Sequence, residues 1–589
     1  MSEVAPLPAH LTGANFLLNE TAPADVFTPE DLSPEDRLMA DTAAKFMDKE
    51  VFPRLDALEH QEPGLARKLF DQAGALGFFC IETPEEFGGL GLGKTSTIGV
   101  NEQLSRLAGF GITCGVHSGI ASQPLVYFGT DAQKQKYLPR LATGEWMAAY
   151  CLTEAGSGSD ALGMKTKGVL SPDGKHYLLN GVKMWITNAG WADLFTVFAK
   201  VDGQHVTAFL VEKNFPGVST GKEEHKLGIK SSSTRRLILE DVPVPVENVL
   251  GEVGKGAYVA FNILNFGRYN LGAGLLGPAR EQIRVAVKYA LERQQFGKPL
   301  ASFGLIQQKL ADMAAKVFAA ESATHRTAGL IDAVAAIGEK LHSMAPPFSR
   351  SLEEFAVECS IVKVRCSEIL FEIADESLQI HGGYGFTEEF SPARVLRDAR
   401  INRIYEGTNE INRLFIPGHL SRREQQGRFP LAAAIEQAKR RVPQWPRLTA
   451  HQDELVDAQA LLRGAKQLVF LLFGLARRKH GTKLADAQEI LAALSDIIGE
   501  IYLAESAVLR ASKNLLRGPQ SGQTDLAVLF VQTGAAKIEI LARQVLAECC
   551  ESDEFDPQLQ AMQRLLARPP INSTVLRRRI AGRLISMGI

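Results

Sequence analysis

The sequence predicts a mainly helical fold with a β domain set into its middle, and three observations carry the prediction. From Met39, Ala43, Phe46 and Met47 onward, apolar residues recur at helical spacing as far as about Leu141. From about Ala148 to about Leu250 the pattern changes to short alternating runs separated by glycine or proline, with Phe195, Val197, Ala199 and Val201 on one strand face. Long helical patterns then resume over Gly256 to Arg293, Phe303 to Ala335 and Leu352 to Ile380, enough to build a bundle.

Taken in order, the elements divide the chain into an irregular arm rich in Pro, Ala and Asn (1–32), a helical domain (33–147), a β domain (148–255), a helical bundle (256–417), a connector rich in Arg, Gln and Pro (418–450) and a second helical region (451–589). Helix begins at Ser33-Pro34-Glu35-Asp36, where Ser33 suits the cap, Pro34 the first helical position and the acids the helix dipole. In the β domain, Asn180-Gly181 stands between two strand-like pieces and predicts a hairpin turn. In the last region Leu461, Ala465, Leu468 and Leu472 recur at helical spacing, and Ala535 to Glu548 is patterned alike. An insertion around Gly338 to Ser351, bearing Pro346-Pro347, has no assigned role.

At 589 residues the chain has length for several domains and a large core. A net charge of -2 with 22 % charged residues excludes a nucleic-acid-binding or disordered acidic chain. The seven cysteines are sparse, with no C-x-x-C pair and no histidine at metal spacing, which predicts free thiols in a reducing compartment and no metal site. The N-terminal segment shows neither a secretory nor a mitochondrial targeting pattern. The longest apolar stretch, Leu468 to Phe473, falls far short of the roughly 20 residues that span a bilayer, so a cytoplasmic location is expected.

Gly88-Gly89-Leu90-Gly91-Leu92-Gly93-Lys94-Thr95 matches the phosphate-loop pattern letter for letter and raises a nucleotide-hydrolase reading. In such an enzyme the loop follows directly on a buried strand, and a second strand ends in a magnesium-holding acid. Here Phe78 to Ile81 offers a short strand at most, and Glu82 to Phe87 intervenes. Leu237-Ile238-Leu239-Glu240-Asp241 imitates the second strand only within antiparallel patterning. The reading is set aside for want of this context.

The stretch with most chemistry is Arg403-Ile404-Tyr405-Glu406-Gly407-Thr408-Asn409-Glu410-Ile411. Gly407 can take backbone angles closed to other residues, and Thr408 is a favoured N-cap for helix from Asn409 to Phe415. Glu406 then sits on a tight connection beside a helix N-terminus, whose free N–H groups can hold a developing oxyanion. A carboxylate beside such donors suits abstraction of a proton alpha to a carbonyl. The plain alternative is a solvated glutamate before an ordinary helix.

Ile404-Tyr405-Glu406-Gly407-Thr408 resembles the catalytic segment of the acyl-CoA dehydrogenases, flavoproteins that desaturate acyl-CoA thioesters. The resemblance implies a fold of N-terminal helical domain, β-barrel domain and helical bundle, with Glu406 as base. Tyr150-Cys151-Leu152-Thr153-Glu154-Ala155-Gly156-Ser157-Gly158-Ser159-Asp160, otherwise a flexible surface turn, resembles the family's first flavin motif. It assigns Tyr150, Thr153 and Ser159 to flavin or thioester contacts, with Ala155 in place of the usual proline. Met184-Trp185-Ile186-Thr187-Asn188 is similar to the second motif: Trp185 would shield one flavin face and Thr187 bond its edge. Arg293-Gln294-Gln295-Phe296 resembles the segment that reaches the cofactor of a neighbouring subunit, arginine being suited to grip a pyrophosphate. Gln379-Ile380-His381-Gly382-Gly383 resembles the segment receiving its adenosine half, with Gln379 and Gly383 in contact and His381 structural. Thr408 and Glu410 would complete the FAD site, although many relatives carry glutamine at the latter position. Some relatives place the base on the helix around Asn265-Phe266-Gly267-Arg268; Gly267 leaves Glu406 as the matching candidate. Asn265 and Arg268, with Ser159, Tyr405 and Gly407, are assigned to the acyl-CoA.

The long extension after the Glu406 segment is similar to that of the very-long-chain acyl-CoA dehydrogenases, which are homodimers with an extra helical domain. The resemblance thus implies α,β-dehydrogenation of a long-chain acyl-CoA in fatty acid β-oxidation, hydride transfer to flavin N5, thioester contacts from the Glu406 N–H and a ribityl hydroxyl, and electron-transfer flavoprotein as acceptor. Peripheral membrane contact is the further expectation, through Lys439-Arg440-Arg441 and Trp445 beside Leu431 and Ile435, or through Arg577-Arg578-Arg579. An oxygen-using acyl-CoA oxidase and a family member with an assembly role are the alternatives.

Overall fold

A computed structural model describes residues 7–340, 347–446, 453–518 and 521–588. Among the described residues the arm has three short 3-10 turns and one-turn helix α1 (Asn15–Leu18), and it is bonded down at several points. Gly13 N–H donates to Glu354 Oε1 (2.7 Å), and Ala14 N–H to Glu358 Oε1 (2.6 Å). Glu30 and Asp31 pair with Arg510 and Lys513 at 2.7 Å each, so the arm joins the bundle to the C-terminal helices.

The first domain comprises α2 (Pro34–Phe46), α3 (Leu55–Glu59), α4 (Leu65–Ala75), α5 (Lys94–Leu104), α6 (Ala108–Gly115), α7 (Gln123–Phe128) and α8 (Asp131–Ala142). Ser33 caps α2 in a reciprocal box with Asp36, two orphan N–H groups being satisfied at once. The phosphate-loop look-alike has no strand before it; residues 78–81 form turns. Its helix N-terminus is closed by Asp332, whose carboxylate accepts from the N–H groups of Lys94 (2.8 Å) and Thr95 (2.9 Å). Lys94 is buried against Glu82 and the Tyr127 hydroxyl, its ammonium 4.2 Å from the centre of the Phe266 ring. Protein groups thus fill the places of phosphate and magnesium.

Eight strands form one mixed sheet in the order β6-β7-β3-β2-β4-β5-β8, with β1 beside β4. They are β1 (Ala148–Cys151), β2 (Lys167–Leu170), β3 (His176–Thr187), β4 (Leu194–Val201), β5 (His205–Glu212), β6 (Val218–Thr220), β7 (Thr234–Pro245) and β8 (Val249–Leu250). The sheet curls on itself: Tyr177 of β3 meets Phe209 of β5 at 5.3 Å between ring centres, inside a core shared with β4 and β7. Phe195, Val197, Ala199 and Val201 do share that face, and Leu194 and Phe198 are buried on the other, against α7 and α8. The expected turn at Asn180-Gly181 is a correction. Strand β3 runs straight through it with a bulge, because Asn180 is tied to Asp241 of β7 (2.8 Å) and Gly181 lies where a Cβ would meet Thr166 Oγ1 at 2.4 Å. The turn between β2 and β3 is made by Asp173-Gly174, where Gly174 has φ +71°.

The bundle contains α9 (Gly256–Glu292), α10 (Gly304–Lys340), α11 (Pro347–Glu354), α12 (Ala356–His381), α13 (Ser391–Arg400) and α14 (Asn409–Gln425), with a two-residue-stranded hairpin β9 (Gln294–Gln295) and β10 (Lys298–Pro299) after α9. Of the 338–351 insertion, residues 341–346 lie outside the described residues; from Pro347 the chain is α11. The bundle also extends past the expected boundary at 417. Helix α14 continues through Pro417, since Leu420 is buried and Arg423 pairs with Glu354.

Within the connector, residues 418–425 continue α14 and Leu431–Arg441 form helix α15, and residues 447–450 lie outside the described residues. Leu431 and Ile435, expected to face a lipid surface, are instead buried against α16 (Glu454–His480), leaving the basic side chains outside. Helices α17 (Gln488–Leu515), α18 (Ser521–Cys549), α19 (Phe555–Leu565) and α20 (Ser573–Met587) complete the last domain. Helix α16 has the length and hydropathy of a membrane span, but its apolar window is mostly buried inside the protein. Arg577 and Arg579 of the basic cluster turn to Asp312 (2.7 Å) and Asp525 (2.6 Å). The domain is joined to the bundle by buried ion pairs, Arg365–Glu500 (2.6 Å) and Arg326–Glu505 (2.9 Å) among them.

Candidate active site

Glu406 stands between α13 and α14 in the left-handed region (φ +58°), followed by Gly407 at φ +76°. Two consecutive residues of this kind reverse the chain sharply, and a non-glycine residue there is strained. The turn is held from the α14 side by the Thr408 hydroxyl, which accepts from Ile411 N–H (3.2 Å), and by Asn412, which donates to the Gly407 (2.9 Å) and Thr408 (3.0 Å) carbonyls. From α9, Arg268 reaches the Glu406 carbonyl (3.4 Å) and is itself oriented by Asn265 Oδ1 (3.1 Å).

The carboxylate points at α9. Its Oε2 is buried with no hydrogen-bond partner, and a Cβ on Gly267 would lie 2.3 Å from it. Burial pushes the Glu406 carboxyl up to about 7, against the opposing attraction of the Arg268 and Lys363 cations. The group borders a space of about 750 Å³, partly open to solvent, between α5, α6, α9 and α13. Gly111, Gly115, Gly267 and Gly274 line it together with Ile120 and Leu275, so missing side chains make the room. Tyr405 lines it too, its hydroxyl donating to Asn402 (2.5 Å).

The two expected flavin motifs meet at one hydrogen bond, from Met184 N–H to the Thr153 carbonyl (2.8 Å). Beneath them a buried pair missed by sequence reading, Lys183 and Glu154 (2.7 Å), ties β3 to the loop, with Glu154 also accepting from the N–H groups of Lys165 (2.6 Å) and Thr166 (3.0 Å). Ser159 is exposed and Thr187 half-buried. Trp185 is not a core aromatic: at φ +59° its side chain leaves the strand and is 56 % exposed. Tyr150 packs on Phe198, and its buried hydroxyl has no partner.

The remaining residues form a separate cluster. Arg293 lies 25 residues past Arg268, roughly 37 Å along α9 at 1.5 Å per residue. Its guanidinium lies 5.6 Å from the Tyr384 ring centre, near exposed Gln379 and Gly383, while Phe296 at the hairpin tip is 92 % exposed. His381 is stacked on Tyr289 at 4.1 Å and bonded to the Ser377 carbonyl (2.7 Å), a structural role. Glu410 is exposed on the first turn of α14. One chain therefore brings Tyr150, Glu406, Arg268 and Asn265 together but leaves Arg293, Phe296, Gln379 and Gly383 at the far end of the bundle.

Three domain models of one family match in succession: acyl-CoA dehydrogenase N-terminal domain over residues 33–145, middle domain over 149–242 and C-terminal domain over 254–420. A further acyl-CoA dehydrogenase C-terminal domain matches 464–564. A probable acyl-CoA dehydrogenase of Bacillus subtilis is 42 % identical over 574 residues, 97 % of each chain. The chain belongs to the acyl-CoA dehydrogenase family. The human mitochondrial very long-chain specific acyl-CoA dehydrogenase is 37 % identical over 76 % of this chain and 70 % of its own. A crystal structure of an acyl-CoA dehydrogenase complexed with FAD from Bacillus anthracis superposes with a TM-score of 0.96 at 45 % identity, over 98 % of this chain and 99 % of that one. Butyryl-CoA dehydrogenase of Megasphaera elsdenii matches at a TM-score of 0.60 and 36 % identity, over 66 % of this chain and 98 % of its own.

The dehydrogenase site fits a flavin on its own evidence. An indole held outward by a strained backbone angle and a glycine loop with open space at Gly156 and Gly158 are surfaces for a planar, hydrogen-bonding group. Two residues that hold the Glu406-Gly407 turn were not singled out: Lys363, more than forty residues upstream on α12, and Asn412, one residue past the quoted stretch. For Lys363 the available signal was Ser360, Lys363 and Ser367 recurring at helical spacing along α12.

Proposed function

We propose that this acyl-CoA dehydrogenase desaturates long-chain acyl-CoA between the α and β carbons, with Glu406 as the base. The observation that carries the reading is the Glu406 carboxylate: buried, unpartnered, and aimed across Gly267 at the wall of a glycine-lined cavity. A carboxyl with a proton affinity near neutrality can accept a weakly acidic proton and release it afterwards. FAD, the cofactor of this oxidoreductase, supplies when bound the two-electron acceptor that an unactivated β C–H requires.

The chain's own residues do the rest. Glu406 takes the α proton as the thioester lies against it, and the Glu406 N–H donates a hydrogen bond to the thioester oxygen on which negative charge develops. Arg268 and Asn265 fix the turn from α9, so the base does not move as charge builds. Packing of the acyl chain along the glycine-lined wall removes water from the carboxylate. A long-chain substrate is supported by the likeness to the very long-chain specific acyl-CoA dehydrogenase, which extends over 484 residues of match. Electron-transfer flavoprotein is the proposed acceptor, and a dimer is proposed to cover Phe296 and Phe386, both strongly exposed aromatics.

Anaerobic titration of the purified flavoprotein with palmitoyl-CoA tests the reading. Bleaching of the visible flavin band in the wild type and its loss in Glu406→Gln, with the flavin retained, is the expected result. Bleaching at the wild-type rate in the variant removes Glu406 as base, and rapid peroxide formation in air turns the assignment to an oxidase.

A further inference from the structure

Lys363 lies in the middle of α12, fully buried, beneath the catalytic turn. Its ammonium donates to the Gly407 carbonyl (2.7 Å) and to Asn409 Oδ1 (2.7 Å), both neutral acceptors. Asn409 is fixed in turn by Ser367 Oγ (3.0 Å) and Glu368 Oε1 (3.2 Å), one helical turn further along α12. A buried ammonium without a carboxylate partner is costly, and a chain that keeps one has a use for its charge.

The charged groups facing Lys363 are Glu406 on the turn, Arg268 on α9, Glu368 on its own helix and Glu410 on α14. Glu368 is already paired with Arg413 (2.6 Å) and Arg365 (3.1 Å), and Glu410 is exposed. The carboxylate left without a cation of its own is Glu406. Arg268, the other cation near it, reaches only the Glu406 carbonyl and donates its remaining bonds to Asn265 and Ser360.

We propose that Lys363 is a positioning residue of the base: it pins the Glu406-Gly407 turn through the Gly407 carbonyl and serves as the counter-charge that keeps Glu406 ionised before substrate arrives. The proposal rests on the reading of Glu406 as base. Burial acts on the two groups in opposite senses, raising the carboxyl to about 7 and lowering the ammonium to about 7, so they titrate as a coupled pair. Removing the cation leaves the carboxylate buried with Arg268 alone to favour its charged form, and its proton affinity rises.

The test is the rate of flavin reduction by palmitoyl-CoA in anaerobic stopped flow, from about pH 6 to about pH 9, for wild type, Lys363→Met, Lys363→Arg and Glu406→Gln. In Lys363→Met the acid limb moves up by about one pH unit, about tenfold in rate on its acid side, and Lys363→Arg keeps the limb near the wild-type position. A uniform slowing of Lys363→Met at every pH, with the limb unmoved, overturns the proposal. If Lys363→Met does not retain FAD, Asn409→Asp replaces it: a carboxylate beside the lysine captures its charge, the same upward shift is expected, and an unmoved limb overturns the proposal. Glu406→Gln separates the two ideas. Full activity in that variant removes the base, whereas an inactive Glu406→Gln with an unmoved limb in the lysine variants removes only the role of Lys363.

Discussion

Gly267 and Glu406 face each other with no room for a side chain between them. A Cβ at 267 would stand 2.3 Å from Glu406 Oε2 and 2.8 Å from its Cδ, well inside contact distance. The absence of a side chain on α9 and the position of the Glu406 carboxylate on the turn are one arrangement.

Gly267→Ala therefore displaces the carboxylate. A shift of about 1 Å in a reacting group costs about a hundredfold, so flavin reduction in this variant is expected to fall by about that factor while the visible spectrum of bound FAD is unchanged. Stopped-flow reduction beside an absorbance spectrum reads both.

The raised proton affinity of Glu406 fixes the direction of two pH effects. With Glu406 as the proposed base, turnover needs the carboxylate, and the reduction rate of the free enzyme is expected to rise with pH through about 7. Stability runs the other way. The folded carboxyl binds its proton more tightly than the unfolded one at 4.5, so the stability held below that value is lost as pH rises through about 7. Glu406→Gln, which cannot ionise, is expected to melt higher relative to wild type at alkaline pH than at acid pH, as thermal scans at the two extremes will show.

Asp332 closes the N-terminus of α5 from a helix more than two hundred residues away, accepting two backbone N–H groups and the Thr95 hydroxyl (2.8 Å). Asp332→Ala removes this cap and is expected to destabilise the protein by about 1–2 kcal/mol, read from urea denaturation. Calorimetric titration of the wild type with Mg-ATP is expected to give no heat of binding, because the loop's lysine and helix end are already occupied.

Trp185 is half out of the protein at a backbone angle that disfavours a large side chain. A tolerated cost of this kind points to a bound surface. Trp185→Ala is expected to lose FAD more readily, seen as a lower flavin-to-protein absorbance ratio after gel filtration, with the far-ultraviolet dichroism of the helices unchanged.

Much of the molecule is legible in its residues because the interactions concerned are local. Ser33 and Asp36 cap α2, and Thr408 caps α14, within three positions. Gly407 permits the reversal that puts Glu406 at a helix N-terminus. The period of apolar residues separates helix from strand on either side of the β domain, since it reflects which face is buried.

What the tertiary structure alone decided involves partners far apart in the chain. Asn180-Gly181 has the composition of a turn, but Asp241 and Thr166 hold it inside a strand. Gly88 to Thr95 has the letters of a phosphate loop, but Asp332 and Glu82 fill its helix end and its lysine. The apolar face of α15, open to a lipid surface in the sequence, is closed by α16. The proposed base follows the same division: residues 404–408 determine that a glutamate stands on a tight turn, while Gly267, Arg268 and Lys363 bear on where its carboxylate points and how tightly it holds a proton. Backbone preference acts over a few bonds, whereas burial and charge act through space, and it is the second pair that sets the proton affinity of this carboxylate.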